Sequence, residues 1–131
     1  MLIGPRRRDE RGAAIVDFVL VTVVLIPLFL GILQLALVLH VRNTLTSAVS
    51  EGARYAATSD RGLDEGVAET RAQIAGVLDP AYGDDVSARV IDIGGLPGVE
   101  VVARARVPAL GLGGPAVELT VRGTAVEERV P

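Results

Sequence analysis

The sequence has no cysteine, no tryptophan and no lysine, and it has only one histidine, one methionine and four aromatic side chains. Each shortage removes a class of chemistry. Without cysteine there is no disulfide framework, no thiol nucleophile and no thiolate metal centre. Without lysine no Gly-Lys-Ser/Thr phosphate loop can exist, so Gly94-Gly95 and Gly111-Leu112-Gly113-Gly114 read as turns and loops. The single imidazole, His40, stands at the outer edge of an apolar run and reads as an interfacial residue, neither a base nor a ligand. Asp79, Asp84 and Asp85 around Gly83 lack the spacing of a calcium loop and read as solvated. No nucleophile–base pair and no cofactor motif remain, so the expectation is a protein without catalytic, cofactor-binding or metal residues. An excess of positive charge is missing too. The formal net charge is −3, and residues 42–131 hold nine Arg against thirteen Asp and Glu. A mildly acidic surface argues against nucleic acid as the partner.

What the sequence does have is an uncharged apolar run over residues 18–39, interrupted only by Thr22 and Gln34 among polar side chains. As a helix it is about 33 Å long, which matches a hydrocarbon core of about 30 Å. A chain of this size cannot cover such a helix on all sides. A cleaved secretory signal has a shorter apolar region followed by a small-x-small site, and residues 37–42 offer none. Arg6, Arg7, Arg8 and Arg11 precede the run, and only Arg42 closely follows it. The positive-inside rule then places the N-terminus in the cytoplasm of a bacterial cell and the C-terminal part outside. The expected organisation is a basic leader over 1–12, a single-pass transmembrane helix over 13–41 and an extracytoplasmic α+β domain over 42–131. Membrane lipid is the first expected partner.

Asp17 stands at the cytoplasmic edge of this run. One reading has it capping the membrane helix among headgroups. Another follows from its neighbours: a basic tail ends in Arg11-Gly12, then Ala13 opens the apolar stretch and an acid sits at its fifth position. That is the pattern of a prepilin processing site. Cleavage between Gly12 and Ala13 removes the leader and leaves an ammonium on Ala13. Ala13 and Asp17 are i and i+4 neighbours on a helix, so ammonium and carboxylate can meet within one chain or between packed subunits. A charge at the bilayer edge is costly alone and much less so when paired, which makes the pair a register device for packing helices.

Residues 11–57 resemble the TadE-like proteins of Flp-type (tight-adherence) pilus systems. The resemblance rests on Gly12, the acid Asp17, Pro27 and Gly31 within the span, and the stretch Ser50-Glu51-Gly52-Ala53-Arg54-Tyr55-Ala56 after it. Asp17 stands where the family usually has Glu, one methylene longer. The resemblance implies a minor pseudopilin, a non-enzymatic membrane component assisting assembly of a pilus or related secretion apparatus. Its implied partners are other pilin-like subunits, pilus-assembly membrane proteins and a prepilin peptidase. The alternative from the residues alone is an uncleaved, membrane-anchored binding module of the cell envelope.

Beyond the span, Leu45, Ala48, Val49, Gly52, Tyr55 and Ala56 recur at helical spacing, so residues 42–58 extend the helix as an amphipathic segment. Gly52 is a poor helix former in the open, and close packing against another element would explain it. Glu51 and Arg54 are spaced for a surface pair. A second helix is expected over 63–78, with Leu63, Val67, Ile74 and Leu78 on one face and Asp79-Pro80 as its stop. The period then changes to two: Val99, Val101, Ala103, Ala105 and Val107 alternate with Glu100, Val102, Arg104 and Arg106, as in a half-buried strand. Strands are expected over 86–93, 99–107 and 117–123, joined by a turn over 94–98 and a Gly/Pro loop over 110–115. The sum is an α+β fold: a long N-terminal helix, a second helix and a small three-stranded antiparallel meander, the architecture of pilins.

Overall fold

The computed structural model describes residues 6–58, 60–110 and 116–128. Helix α1 spans Arg6–Ala56, α2 spans Leu63–Ala75, and a one-turn 3₁₀ helix covers Pro80–Gly83. Strands β1 (Asp85–Ile93), β2 (Leu96–Val107) and β3 (Val117–Val126) form an antiparallel meander in the order β1-β2-β3. The α+β architecture expected from the two periodicities is the one found. The 110–115 loop falls mostly outside the described residues.

Helix α1 has 51 residues and is about 75 Å long. Its assignment runs unbroken through Pro27. Only its last third enters a core. Val41, Leu45, Val49 and Ala53 are fully buried there, against Ile74 of α2 and Val99, Val101, Ala103 and Val107 of β2. Leu37 and Val38 pack on the edge of the same cluster. Tyr55 lies at its margin, half-buried, with the Arg61 guanidinium 3.7 Å from the ring centroid. Glu51 and Arg54 form the expected surface pair at 3.4 Å, which adds at most a few tenths of a kcal/mol.

The two helices cross at paired glycines. A Cβ on Gly52 would strike the Thr70 side chain and lie 2.9 Å from the Gly66 carbonyl. A Cβ on Gly66 would lie 2.5 Å from that of Ala56 and 2.9 Å from the Gly52 carbonyl. The crossing therefore exists because both positions lack side chains, which is the close packing anticipated for Gly52. Its counterparts are Gly66 and the buried Thr70, whose hydroxyl donates to the Gly66 carbonyl at 2.8 Å. Neither is apolar enough to stand out in a hydrophobic pattern.

The end of α2, the β1–β2 turn and the burial of β2 differ from expectation, each for a local reason. Helix α2 stops at Ala75, not at residue 78, because Gly76 opens a pair of tighter turns; Leu78 N–H still reaches the Ile74 carbonyl at 2.8 Å. Glu65 starts α2 by accepting from Gly62 N–H at 2.8 Å, half of a capping box. The β1–β2 turn is Gly94-Gly95 alone, with φ of 60° and 87°. Both residues sit where only glycine is comfortable, as a two-residue hairpin requires, and Asp92 Oδ1 accepts from Gly95 N–H at 2.7 Å. Leu96, Pro97 and Gly98 thus belong to β2. Pro97 accepts from Glu127 N–H at 2.9 Å but has no N–H to return, and the β2–β3 ladder ends at the adjacent pair Gly98 and Val126.

The third difference concerns β2, expected to be half-buried. Glu100 and Val102, on the face turned away from the helices, are 8% and 9% exposed. Arg89 of β1 donates through Nε and Nη2 to Glu100 Oε1 at 2.8 and 2.7 Å, and Arg122 of β3 approaches the same oxygen at 3.4 Å. The two arginines lie across the central strand and cover it with their stems.

Two outcomes are expected of the full chain in detergent. Gly66→Val should destabilise by about 1–3 kcal/mol through overpacking, lowering the thermal midpoint by roughly 5–20 °C, whereas Ala68→Leu on the exposed face of α2 should leave it nearly unchanged. Glu100→Ala leaves two guanidinium groups without their acceptor. Because both arginines are more than half exposed, the cost is held to about 1–2 kcal/mol, readable as a shift in the urea midpoint.

Candidate membrane and assembly helix

From residue 9 to about residue 33 the side chains of α1 are largely uncovered. From Ile15 to Leu35 every large apolar side chain except Leu30 is exposed, fifteen in all. Phe18 is 72% exposed and Phe29 61%. Transferring that much surface from water to an apolar medium releases on the order of 20 kcal/mol. A whole domain is stabilised by only about 5–15 kcal/mol, so this surface requires a cover. The most apolar window of the helix has none of its residues buried, which separates it from the core helix of a soluble protein.

The residues singled out in the sequence are strung along this helix. Gly12 and Ala13 lie within its regular turns, exposed, and a Cβ on Gly12 would meet nothing within 4 Å. Asp17 is exposed and makes no hydrogen bond or ion pair among the described residues. It is one turn from Ala13 on the same face, as the i, i+4 spacing requires. Pro27 removes the N–H that would bond the Val23 carbonyl, in the middle of the exposed stretch. Gly31 is open on all sides. Thr22 turns its hydroxyl inward to the Phe18 carbonyl at 2.7 Å, so it presents little polarity to its surroundings. Glu51, Gly52, Arg54 and Tyr55 lie far from these, at the other end of α1. Gly52 serves the helix crossing, and the other three sit at or near the surface.

Gln34 was noted in the sequence only as a polar interruption. Its Nε2 donates to the Pro108 carbonyl at 3.2 Å, and its Oε1 accepts from Leu110 N–H at 2.9 Å. One side chain thereby satisfies an acceptor and a donor of the segment leaving β2. A lone amide in an otherwise apolar run was the available signal, but the sequence could not name its partner, 74 residues away.

Among the described residues no three His, Asp or Glu side chains come together as a metal site. A cleft of about 430 Å³ lies between the 3₁₀ turn and β2, lined by Asp79, Tyr82, Asp85, Arg104 and Pro108 among others. Asp79 is occupied in capping the turn, accepting from Ala81 N–H at 2.9 Å. No nucleophile paired with a base lines the cleft.

These features define a class: a small α+β domain built on the end of one long helix, whose free part has the length and composition of a single-pass membrane anchor. Within that class, residues 12–54 match the family model described as TadE-like protein. The match takes in a third of the chain and lies wholly within α1, including Gly12, Asp17, Pro27, Gly31 and the Gly52 crossing. It ties this stretch to a structural family associated with tight-adherence pili. No curated protein and no solved structure matches the chain.

Replacing Gln34 by Leu keeps the helix apolar and deletes both bonds to the loop. With each bond worth about 1 kcal/mol, amide exchange at Leu110 is expected to rise about five- to thirtyfold, while exchange at Val101 in the centre of β2 stays unchanged.

Proposed function

We propose that the chain is a TadE-like minor pseudopilin, a structural component of the bacterial plasma membrane that assists assembly of a Flp-type pilus or a related secretion apparatus. In this reading α1 crosses the bilayer once, with Arg6, Arg7, Arg8 and Arg11 on the cytoplasmic side and the C-terminal domain outside. The observation that carries it is the coincidence of the family match over residues 12–54 with a helix whose apolar surface is uncovered from Ile15 to Leu35. Neighbouring helices of pilin-like subunits and lipid are the covers of suitable chemistry. Asp17 supplies the register. After cleavage at Gly12–Ala13 it lies near the new helix N-terminus, where a carboxylate is favoured by the helix dipole by about 0.3–1 kcal/mol and can pair with the new ammonium of its own or a neighbouring chain. Processing has to unwind the helix at the scissile bond, and Gly12, about 1 kcal/mol poorer than Ala as a helix former, is where it opens most readily.

A second reading is an uncleaved anchor carrying an envelope-binding domain. It is favoured by the continuity of α1 from Arg6 through Gly12 into the apolar stretch, which offers a peptidase no extended segment.

The two readings differ in the mature N-terminus. In cells containing a prepilin peptidase, the wild-type chain is expected to lose residues 1–12, to begin at Ala13 and to migrate faster on a gel, and Gly12→Glu to abolish that shift. A mature chain that still begins at or near Met1 selects the uncleaved anchor. A shift that persists after deletion of the peptidase gene rules out this route of processing.

A further inference from the structure

The junction between the free helix and the domain is not a bare stalk. Strand β3 runs alongside α1 in the same sense, with Gly123 against the backbone of Val49 and Ser50, where a Cβ would come within 2.6 Å. At the far end, Glu128 N–H reaches the Ala57 carbonyl at 2.9 Å. Going the other way, the six residues from Gly123 back to Val117 cover about 20 Å, equal to about thirteen residues of helix. That brings the lower edge of the sheet to about residue 36. The hydrogen bonds of Gln34 to residues 108 and 110 fix the level directly. His40 and Arg42, the first residues above the run able to carry charge, stand six and eight positions further on, about 9–12 Å beyond the Gln34 level. The segment 108–110 therefore lies closer to the bilayer centre than the polar belt of its own helix. It is Pro-Ala-Leu, and the sequence carries no charge from Val107 through Val117.

We propose that residues 108–110, tied to α1 at Gln34, form a foot that enters the headgroup–acyl boundary, so that the domain sits on the lipid surface and does not stand off it. The inference rests on the membrane reading of α1. Leu35, exposed on the helix at the same level, and Leu39, about one turn above it, add apolar surface beside the foot, and Tyr82 with Pro108 borders it on the side of the 3₁₀ turn. An amphipathic ring at that depth suits the interface. The charges above the foot are of both signs, Asp79 and Asp85 with Arg104, so the fitting partner is a neutral, zwitterionic bilayer and no anionic lipid is required. Tilt follows from the same contact: a second point of attachment to the membrane fixes how the domain is presented to neighbouring subunits.

The absence of cysteine makes the test direct. Single-cysteine chains Ala109→Cys, Phe29→Cys and Ser87→Cys are labelled with an environment-sensitive fluorophore and reconstituted at full length in phosphatidylcholine vesicles. The vesicles carry a nitroxide quencher either near the headgroup or deep in the acyl chains. The Phe29 label should be quenched most by the deep probe. The Ala109 label should be quenched several-fold more by the shallow probe than the Ser87 label, with blue-shifted emission. Adding Gln34→Leu to the Ala109 chain should lower that quenching; unchanged quenching overturns the tether. If the Phe29 label is quenched while Ala109 behaves like Ser87, the foot is disproved and the anchor stands. If Phe29 is not quenched, the anchor itself fails and the foot with it. Leu110→Cys repeats the measurement should the Ala109 chain fold poorly by its thermal melt.

Discussion

One unbroken helix has to satisfy two solvents, and most other features follow from that constraint. From residue 18 to about residue 33 its side chains are apolar on every face apart from Thr22, and every face is uncovered. From Val41 onward they are apolar on one face only, because the other meets water. The backbone makes no distinction between the two regimes. An α-helix satisfies its own hydrogen bonds within the segment, so it can pass from lipid into a protein core without a change of structure. The domain is consequently built on the end of the apolar helix and cannot turn independently of it without breaking the buried row Val41, Leu45, Val49 and Ala53.

The domain compensates for its small size by close approach. With four aromatic side chains in the whole sequence, its core is made mostly of Val and Ala around Leu45 and Ile74, and Val and Ala fill little volume each. Backbones must come near one another for such a core to close. The Gly52–Gly66 crossing and the seat of Gly123 on α1 achieve this on the two sides of the helix. The outward face of the sheet is covered at Glu100 by the arginines that converge on it, where an all-apolar strand would have left an exposed apolar patch. It is a polar cover over a buried strand.

Much of this was legible beforehand. The apolar run, its flanking arginines and the Gly12–Asp17 spacing are local patterns with a physical length or period attached, and they located the anchor and the family. The alternation Val99, Val101, Ala103, Ala105, Val107 located β2 for the same reason. Boundaries were less legible. The 94–98 segment looks like a turn by composition, yet only Gly94 and Gly95 carry positive φ. Pro97 is tolerated in the central strand because the ladder to β3 has run out at its level. Gln34, Gly66, Thr70 and Glu100 were passed over because each derives its role from a partner distant in sequence.

The sequence by itself determined which segments are helix, strand and uncovered apolar run, because periodicity, charge and length act over a few neighbouring residues. Tertiary structure alone decided that Gln34 holds residues 108 and 110 against α1, that Gly52 meets Gly66, and that Glu100 is shared by Arg89 and Arg122. Those choices depend on register between elements. Register is set by how whole faces fit together, and no local window contains that information.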